Sequence, residues 1–363
     1  MASPTSVPDV LRRRLAVQRL VGGGLSTATD VVELLGCVQS QEWAHGFWSL
    51  GMRTAGLRYP DVQQEFDTGA YLRTHILRPT WHYVAARDIR WILTLTSPRV
   101  QQRNGSSYRR DRLTQRELDR AAELIVQALS GNSFSTRREL AAVLEQDGIT
   151  TEGQRLAGLV MNAELEGLIC SGPVRGAQHT YAVLDERVAA APPRSADEAL
   201  AELTWRFFRG HGPADVHDFT RWSSLATSDA RAGLELVGDR LAQVVVEGHR
   251  LWFDPESAEP AEDVDAENTA LLLPLYDEAL LSYPRISFLK EPGHPHQPGD
   301  DLFVGSVVCG VRNVGTWRRT VTGRRVSVVT DLAPSLGRRD RAAVAGAIDR
   351  LAAFLGKELA PPP

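Results

Sequence analysis

The sequence predicts an α+β protein that contains three tandem winged-helix units followed by a C-terminal β-rich subdomain. Three times along the chain, segments with helical spacing of apolar residues are followed by two short strand-like segments, which is the order of a winged helix. From Leu271 to Asp331, strand-like segments dominate instead. At 363 residues the chain also exceeds the usual size of one core, which favours several domains. The predicted boundaries are 8–100, 113–190, 196–256 and 268–358.

The first unit, residues 8–100, carries the most informative predicted helix. This helix is capped by Ser26 or Thr27, continues through Val38 and delivers Gln39-Ser40-Gln41 near its end. The other elements predicted here are a helix after Pro8 that ends at the glycines 22–24, a helix over 60–69, and strands over 71–78 and 80–84.

The second and third units repeat this order of elements. A proline-containing linker, Ala191-Pro192-Pro193-Arg194-Ser195, separates them. The second unit is predicted to have helices over 118–129, from 135 onward and over 151–165, with strands over 167–172 and 179–184. The third is predicted to have helices over 196–208, 215–222 and 227–236, with strands over 244–246 and 251–253.

The C-terminal subdomain is predicted to contain a basic hairpin and a final helix. A turn at Thr322-Gly323 joins the two strands of this hairpin. The predicted elements are strands over 271–275, 306–311, 313–319 and 324–331, and a helix over 340–358.

The net charge of −4 alone argues against a nucleic-acid partner, but the charges are unevenly distributed. Seven arginines and three acids lie in 99–120, and seven arginines and one acid lie in 312–339. By contrast, residues 254–267 include seven acids and no base. Arginine supplies almost all of the positive charge, which suits bidentate phosphate contacts but is also what a GC-rich genome produces. Two basic segments on a nearly neutral chain are therefore compatible with DNA binding.

The cysteines and the hydropathy of the chain indicate its compartment. Cys37, Cys170 and Cys309 are far apart and lack a CxxC pair, which is typical of reduced, buried cysteines. The N-terminus lacks a signal-peptide pattern, and no apolar run approaches the roughly 18 residues of a membrane span. We expect a cytoplasmic, nucleoid-associated protein that does not bind membranes. Three fused units in one chain favour a monomer over a dimeric DNA reader.

Three separated segments occur in an order that is typical of a known family. They are Val38-Gln39-Ser40-Gln41, then Arg73-Thr74-His75-Ile76-Leu77-Arg78-Pro79-Thr80-Trp81-His82, then Leu273-Pro274-Leu275-Tyr276-Asp277-Glu278 with Gly315-Thr316-Trp317-Arg318-Arg319. Together they resemble the AlkZ/YcaQ superfamily of winged-helix DNA glycosylases, from about Val10 to about Asp331. The resemblance implies that Gln39 and Gln41, the Gln-x-Gln signature of the AlkZ branch, hold the hydrolytic water. Ser40 and Pro79 depart from the family pattern, which has an aliphatic or small residue and a glycine there.

The glutamine pair suits one class of substrate. Glutamine can neither deprotonate water nor protonate a leaving group, so excision of an ordinary nucleoside would stall. A purine alkylated at N7 is positively charged and leaves as a neutral base, and two amide oxygens can then orient water and face the cationic sugar. The alternative is that Gln39 and Gln41 are polar residues that cap a helix end or face solvent.

The resemblance, together with the chemistry of the glutamine pair, implies a monofunctional DNA glycosylase that hydrolyses the N-glycosidic bond of N7-alkylated purines in duplex DNA. It would use neither a metal ion nor an organic cofactor. The resemblance further implies bulky natural-product adducts or interstrand crosslinks as substrates, in DNA repair or antibiotic self-resistance. The main alternative is a non-catalytic winged-helix DNA-binding protein or transcription regulator.

Two further groups of residues are predicted to contact DNA. The strand pair contributes Arg73, Arg78 and His82, which we place against phosphates beside the lesion, although a strand histidine is often satisfied by a neighbour. The basic hairpin is predicted to enter a groove, unless it is a solvated edge strand protected by charge. Its predicted DNA-contacting residues are Trp317, Arg318, Arg319, Arg324 and Arg325.

The remaining candidate motifs are weak. Asp277 and Glu278 could act as a general-base pair, but adjacent strand residues point to opposite faces, so we expect a structural role in which one bonds a basic neighbour. His294 and His296 lack further ligands at metal spacing. The sequence contains no glycine-rich phosphate loop, no Gly-x-Ser-x-Gly elbow and no Cys–His nucleophile pattern.

Overall fold

A computed structural model describes residues 4–257, 269–292 and 304–360 of the chain, and these residues form mixed helical and sheet structure. Most of the acidic run at 254–267 lies outside the described residues, as do His294 and His296.

The first module contains helices on both sides of a small antiparallel sheet with strand order β1-β3-β2. Its elements are α1 (Val7–Val17), α2 (Ala28–Leu35), β1 (Val38–Gln39), α3 (Trp43–Gly51), α4 (Tyr59–Thr68), β2 (Tyr71–His75), β3 (Trp81–Ala85) and α5 (Ile89–Arg110). The sheet register pairs Gln39 with His82 and Arg73 with Tyr83. Gln39 therefore lies on a sheet strand.

The predicted continuation of α2 through Val38 is wrong, because the helix ends at Leu35. Gly36 follows it with φ +75°, in the left-handed region that favours glycine. Beyond this turn the chain is extended, and Val38 pairs with Tyr83. The glutamines consequently follow a helix end and a turn, and they are not part of the helix.

The second module is built around its own apolar core and a sheet with strand order β4-β6-β5. Its elements are α6 (Gln115–Leu129), β4 (Ser135–Thr136), α7 (Arg137–Gln146), α8 (Arg155–Leu165), β5 (Ile169–Ser171), β6 (Thr180–Val183) and α9 (Leu184–Arg187). Helix α7 begins where a capping box forms, with Thr136 accepting from the backbone of Glu139 and the Glu139 carboxylate accepting from the backbone of Thr136.

The third module shares its core with the first. Phe207 and Trp222 pack in one cluster with Leu72 and Ile76 of the first module. The elements are α10 (Ala196–His211), α11 (Val216–Ser223), α12 (Thr227–Val237), a 3₁₀ turn (Gly238–Arg240), and the antiparallel hairpin of β7 (Ala242–Val246) and β8 (His249–Phe253). The first and third modules are thus joined by apolar packing as well as by the chain.

The C-terminal subdomain is a sheet covered by a long helix, and it packs on the first module. Its elements are β9 (Ala270–Leu273), α13 (Glu278–Leu281), β10 (Leu289–Lys290), β11 (Gly305–Cys309), β12 (Arg312–Thr322), β13 (Arg325–Leu332), α14 (Arg338–Leu355) and β14 (Glu358–Leu359). The main strand order is β14-β13-β12-β11-β9, and β10 pairs with β12. Val314 and Leu351 share a core cluster with Phe47 of α3. This packing brings the segment after β9 next to β1.

Within the described residues, no helix is both long and apolar enough to cross a membrane.

Candidate active site

The glutamine pair lies at the end of the edge strand β1 of the first sheet, with Gln41 in the bend that follows the strand. Gln39 ends β1, and the N–H of Ser40 continues the pairing by donating to the carbonyl oxygen of Trp81 at 2.8 Å. Gln39 is 8% exposed, and the Oε1 atom of Gln41 is buried without a hydrogen-bond partner among the described residues. The pair therefore presents a free amide acceptor in a desolvated place.

Glu278 forms a hydrogen bond with the backbone of the glutamine pair. Its Oε1 accepts the backbone N–H of Gln39 at 2.7 Å, and its Oε2 accepts the hydroxyl of Ser282 at 3.0 Å. Burial alone would raise the pKa of Glu278, but His211 and Arg78, with His82, together lower it to about 2. A fully buried, ionised carboxylate is thus bonded to the backbone of Gln39.

Asp277 has a separate, structural role. It caps α13 by accepting the N–H of Ala279, and it forms an ion pair with the fully buried Arg53, whose Nη2 lies 2.7 Å from Oδ1. Of the two adjacent acids, Asp277 therefore bonds a basic residue, as the sequence predicted for one of them. The assumption that both acids lie on a strand is wrong, because the chain turns after β9 and Glu278 begins α13.

Arg73 holds the backbone of the glutamine segment. Its Nε donates to the carbonyl of Ser40 at 2.9 Å, and its Nη2 donates to the carbonyl of Gln41 at 3.2 Å. The guanidinium lies 4.3 Å over the ring of Trp81 and is 5% exposed. The predicted phosphate contact does not fit this placement, since the group is buried and already bonded to protein carbonyls.

His82 and Arg78 form a second buried connection. His82 Nδ1 lies 2.9 Å from the carbonyl of Thr80, and Nε2 lies 3.1 Å from Arg78 Nη2. Burial, followed by the charge of Arg78, lowers the pKa of His82 to about 3. The imidazole is therefore neutral, donates from Nδ1 and accepts at Nε2. The sequence predicted that His82 lies against a phosphate. This prediction does not fit the structure, because the side chain is fully buried.

The second module is attached beside this site by a polar contact that the sequence did not predict. His75 Nδ1 contacts the buried carboxylate of Glu164, and the indole Nε1 of Trp81 donates to the other oxygen of that carboxylate at 3.3 Å. Both partners in the first module flank Arg73 on the sheet. Since Glu164 is 83 to 89 residues away in sequence, no local pattern could have identified it.

The basic hairpin of β12 and β13 divides into a buried base and an exposed tip. Trp317 is 2% exposed and donates its Nε1 to the carbonyl of Leu273 at 2.8 Å, so its predicted contact with DNA does not fit and it stabilises the sheet instead. Arg319 is half-buried and donates to the carbonyl of Ala44 at 3.2 Å, close to the glutamine segment. The three arginines that are exposed are Arg318, Arg324 and Arg325.

His45 is a further imidazole near the glutamine segment that the sequence did not single out. Its ring lies 6.0 Å from that of Trp317. Burial, followed by the charge of Arg319, lowers the pKa of His45 to about 4. His45 and His82 are consequently both unprotonated at neutral pH. Among the described residues, no group of three or more His, Cys, Asp or Glu side chains could hold a metal ion.

Comparisons with known proteins agree with one another. A family model described as "DNA glycosylase AlkZ-like" matches residues 32–354. The chain is 26% identical over 265 residues to the interstrand DNA cross-link repair glycosylase of Streptomyces sahachiroi, covering 70% of this chain and 71% of that protein. It also resembles the solved structure of Streptomyces sahachiroi DNA glycosylase AlkZ, with a TM-score of 0.77, 22% identity and coverage of 99% of this chain and 100% of that one.

Proposed function

This chain belongs to the AlkZ-like DNA glycosylase family, and from that premise we propose that it excises N7-alkylated purines from duplex DNA with Gln39 and Gln41 orienting the attacking water. The reaction is hydrolysis of the N-glycosidic bond, with water as the nucleophile. The free base and an abasic site are the products.

The observation that carries this proposal is the buried, unpartnered amide oxygen of Gln41. A buried acceptor without a partner costs about 1–3 kcal/mol. A water molecule or a substrate group that donates to this oxygen removes the cost. Since an amide accepts a hydrogen bond without taking the proton, the pair orients water and does not deprotonate it.

The electrostatics of the site favour a cationic transition state. The carboxylate of Glu278 is ionised and accepts the backbone N–H of Gln39, so negative charge lies next to a residue proposed to face the sugar. Hydrogen bonds and dipoles fixed before the reaction stabilise a developing oxocarbenium ion without reorganisation. Arg73 holds the backbone carbonyls of Ser40 and Gln41 in place by donating a hydrogen bond to each.

Two imidazoles near the pair are unprotonated at neutral pH, which supports the choice of leaving group. Of the described histidines beside the glutamine segment, His82 and His45 have pKa values lowered to about 3 and about 4. Neither can protonate a departing base at neutral pH. A purine alkylated at N7 needs no such proton, because it departs as a neutral molecule.

We further propose that the three helix-and-hairpin modules are winged-helix units that hold the duplex, with the tip of the basic hairpin contacting phosphates. Arg318, Arg324 and Arg325 are exposed, as phosphate contacts require. The predicted domain boundaries, a monomeric state and a cytoplasmic, nucleoid-associated location belong to this proposal. Because a relative is named an interstrand DNA cross-link repair glycosylase, bulky adducts and interstrand crosslinks are included among the proposed substrates.

The direct test is to incubate the protein with a duplex that contains a single N7-methylguanine and to quantify abasic sites by alkaline cleavage. We expect excision of N7-methylguanine and none of guanine in the matched undamaged duplex. Tight binding of both duplexes without abasic sites would favour the non-catalytic DNA-binding protein.

A further inference from the structure

A cavity of about 340 Å³ lies between the first and second modules and is lined by residues of both. Its lining includes Arg73 and Trp81 of the first module and Arg137, His179 and Tyr181 of the second. We call it the inter-module cavity. Its volume falls in the range of pockets that hold small ligands, about 300–1,000 Å³.

Arg73 connects this cavity to the glutamine pair. The guanidinium that lines the cavity also donates to the carbonyls of Ser40 and Gln41, at 2.9 and 3.2 Å. One guanidinium therefore contacts both the backbone of the glutamine segment and the cavity.

The walls of the cavity favour a planar occupant. The guanidinium carbon of Arg73 lies 4.3 Å from the centroid of the Trp81 ring, and the rings of His179 and Tyr181 form an edge-to-face pair with centroids 4.9 Å apart. Aromatic faces and guanidinium planes stack with flat groups. A phosphate is tetrahedral and strongly hydrated, so ring faces contribute little to its binding.

The polar groups that line the cavity indicate which charge on an occupant they favour. His179 Nε2 is buried and has no hydrogen-bond partner among the described residues. Burial, followed by the charges of Arg73 and His75, holds the pKa of His179 well below its usual range, so the ring is neutral. The cavity lining includes three arginines and no carboxylate. These features favour a neutral or anionic group over a cationic one.

We propose that the inter-module cavity binds the substituent carried by the damaged purine and selects a planar aromatic substituent over a methyl group. A methyl group is too small to reach both Trp81 and His179 and leaves the cavity unfilled. This inference rests on the proposed function and deepens it by naming the substrate class.

The test compares two duplexes, one with N7-methylguanine and one with N7-benzylguanine, each on a 2′-fluoroarabinose sugar that resists hydrolysis. Binding of each duplex is measured for the wild type, for His179→Ala and for His179→Phe, which keeps a ring without the nitrogen. We expect the wild type to prefer the benzyl duplex, and His179→Ala to reduce this preference about two- to tenfold, the effect of one lost ring contact. His179→Phe keeps the ring and should retain most of the preference.

The matched control is His249→Ala, which removes a histidine from the hairpin of the third module and should leave the preference unchanged. Equal wild-type affinity for the two duplexes overturns the proposal, as does a preference that both His179 variants retain in full. Because these duplexes cannot be hydrolysed, the outcome is independent of the excision assay. Failure of excision with an intact benzyl preference would refute the proposed reaction and leave the cavity assignment standing.

Discussion

The backbone N–H of Gln39 donates a 2.7 Å hydrogen bond to the buried carboxylate of Glu278, which is 239 residues away in the chain. The contact exists because the C-terminal sheet packs on the first module and turns sharply after β9. It links the segment proposed to hold water to an ionised group that is surrounded by His211, Arg78 and His82. The C-terminal subdomain therefore takes part in building the site.

Replacing Glu278 by Gln should slow excision while leaving DNA affinity within a few-fold. Glutamine has the shape of glutamate and retains an oxygen that can accept the N–H of Gln39, but it removes the negative charge next to this N–H. We expect a loss of roughly ten- to a hundredfold in the single-turnover rate, the range of a hydrogen bond to a charged group. Asp340→Asn, which neutralises a carboxylate bonded to Arg312 away from the site, is the matched control. Equal rates for Glu278→Gln and wild type would limit Glu278 to a structural role.

Gln39→Ala and Gln41→Ala should each reduce excision strongly without a comparable loss of DNA binding. One water-orienting contact is worth about 2.7–4 kcal/mol, or 10²- to 10³-fold in rate, by analogy with a lost oxyanion donor. Single-turnover rates and equilibrium binding to the N7-methylguanine duplex measure the two effects separately. Ser40→Ala, at the position between the two glutamines, is the control. Ser40 bonds Arg73 and Trp81 through its backbone carbonyl and N–H, and the substitution keeps both groups. Wild-type rates in both glutamine variants would contradict the catalytic assignment.

Local signals in the sequence identified many of the helices, but they missed two of the helices in the first module. Thr136 with Glu139 marks the start of α7, and the periodic apolar residues of α6 mark that helix. Helix α3 was not predicted, because Glu42 makes no side-chain cap and the helix is apolar on most sides. Helix α5 was also missed, since it continues through Pro98 over 22 residues.

The candidate site was predictable only in part, for a related reason. The Gln39–x–Gln41 pattern is local and is visible in the sequence. Its partner Glu278 is distant in the chain, and Glu164, which contacts His75 and Trp81 beside Arg73, comes from another module. Sequence patterns also could not distinguish exposed from buried arginines, so Arg73 was taken for a phosphate contact.

The exposed arginines of the basic hairpin should contribute to the salt dependence of binding. Each phosphate contact adds about −0.9 to the slope of log K against log salt on B-DNA, because counterions are released. Replacing Arg318 and Arg324 together by Ala should make the slope less steep by up to about two such contacts. Thr320→Ala with Thr322→Ala shortens side chains on the same hairpin without removing charge and should leave the slope unchanged. An unaltered slope in the arginine variant would indicate a charged edge strand that lies away from DNA.

The stability of the protein should fall as the solution becomes acidic, beginning near the usual pKa of histidine. His82 has its pKa lowered from 6.5 to about 3, so below about pH 6.5 the unfolded chain binds a proton that the folded chain does not. The folded state is therefore destabilised as the pH falls from 6.5 toward 3. Glu278 acts in the same direction at lower pH, since its pKa is lowered from 4.5 to about 2.

Urea midpoints at about pH 7.5 and about pH 5 measure this effect. His82→Gln cannot titrate and should show a smaller decrease in midpoint between the two values than the wild type. His217→Gln changes an exposed histidine and should behave as the wild type. The same decrease in all three proteins would show that His82 does not carry the acid sensitivity.

Leaving-group charge separates the proposed mechanism from acid-assisted excision. If Gln39 and Gln41 are the catalytic groups, the enzyme supplies no proton to the base, so N7-alkylguanine should be excised and neutral lesions such as hypoxanthine or 1,N6-ethenoadenine should not. The single-turnover rate should also be nearly flat from about pH 6 to 9, where an amide does not titrate, whereas a histidine acid near pKa 6.5 would bend the profile. The depressed pKa values of His82 and His45, about 3 and about 4, agree with a flat profile. Robust excision of hypoxanthine would reveal an additional proton donor. His82 is bonded at both nitrogens, so His75, beside the carboxylate of Glu164, would then be the first residue to replace.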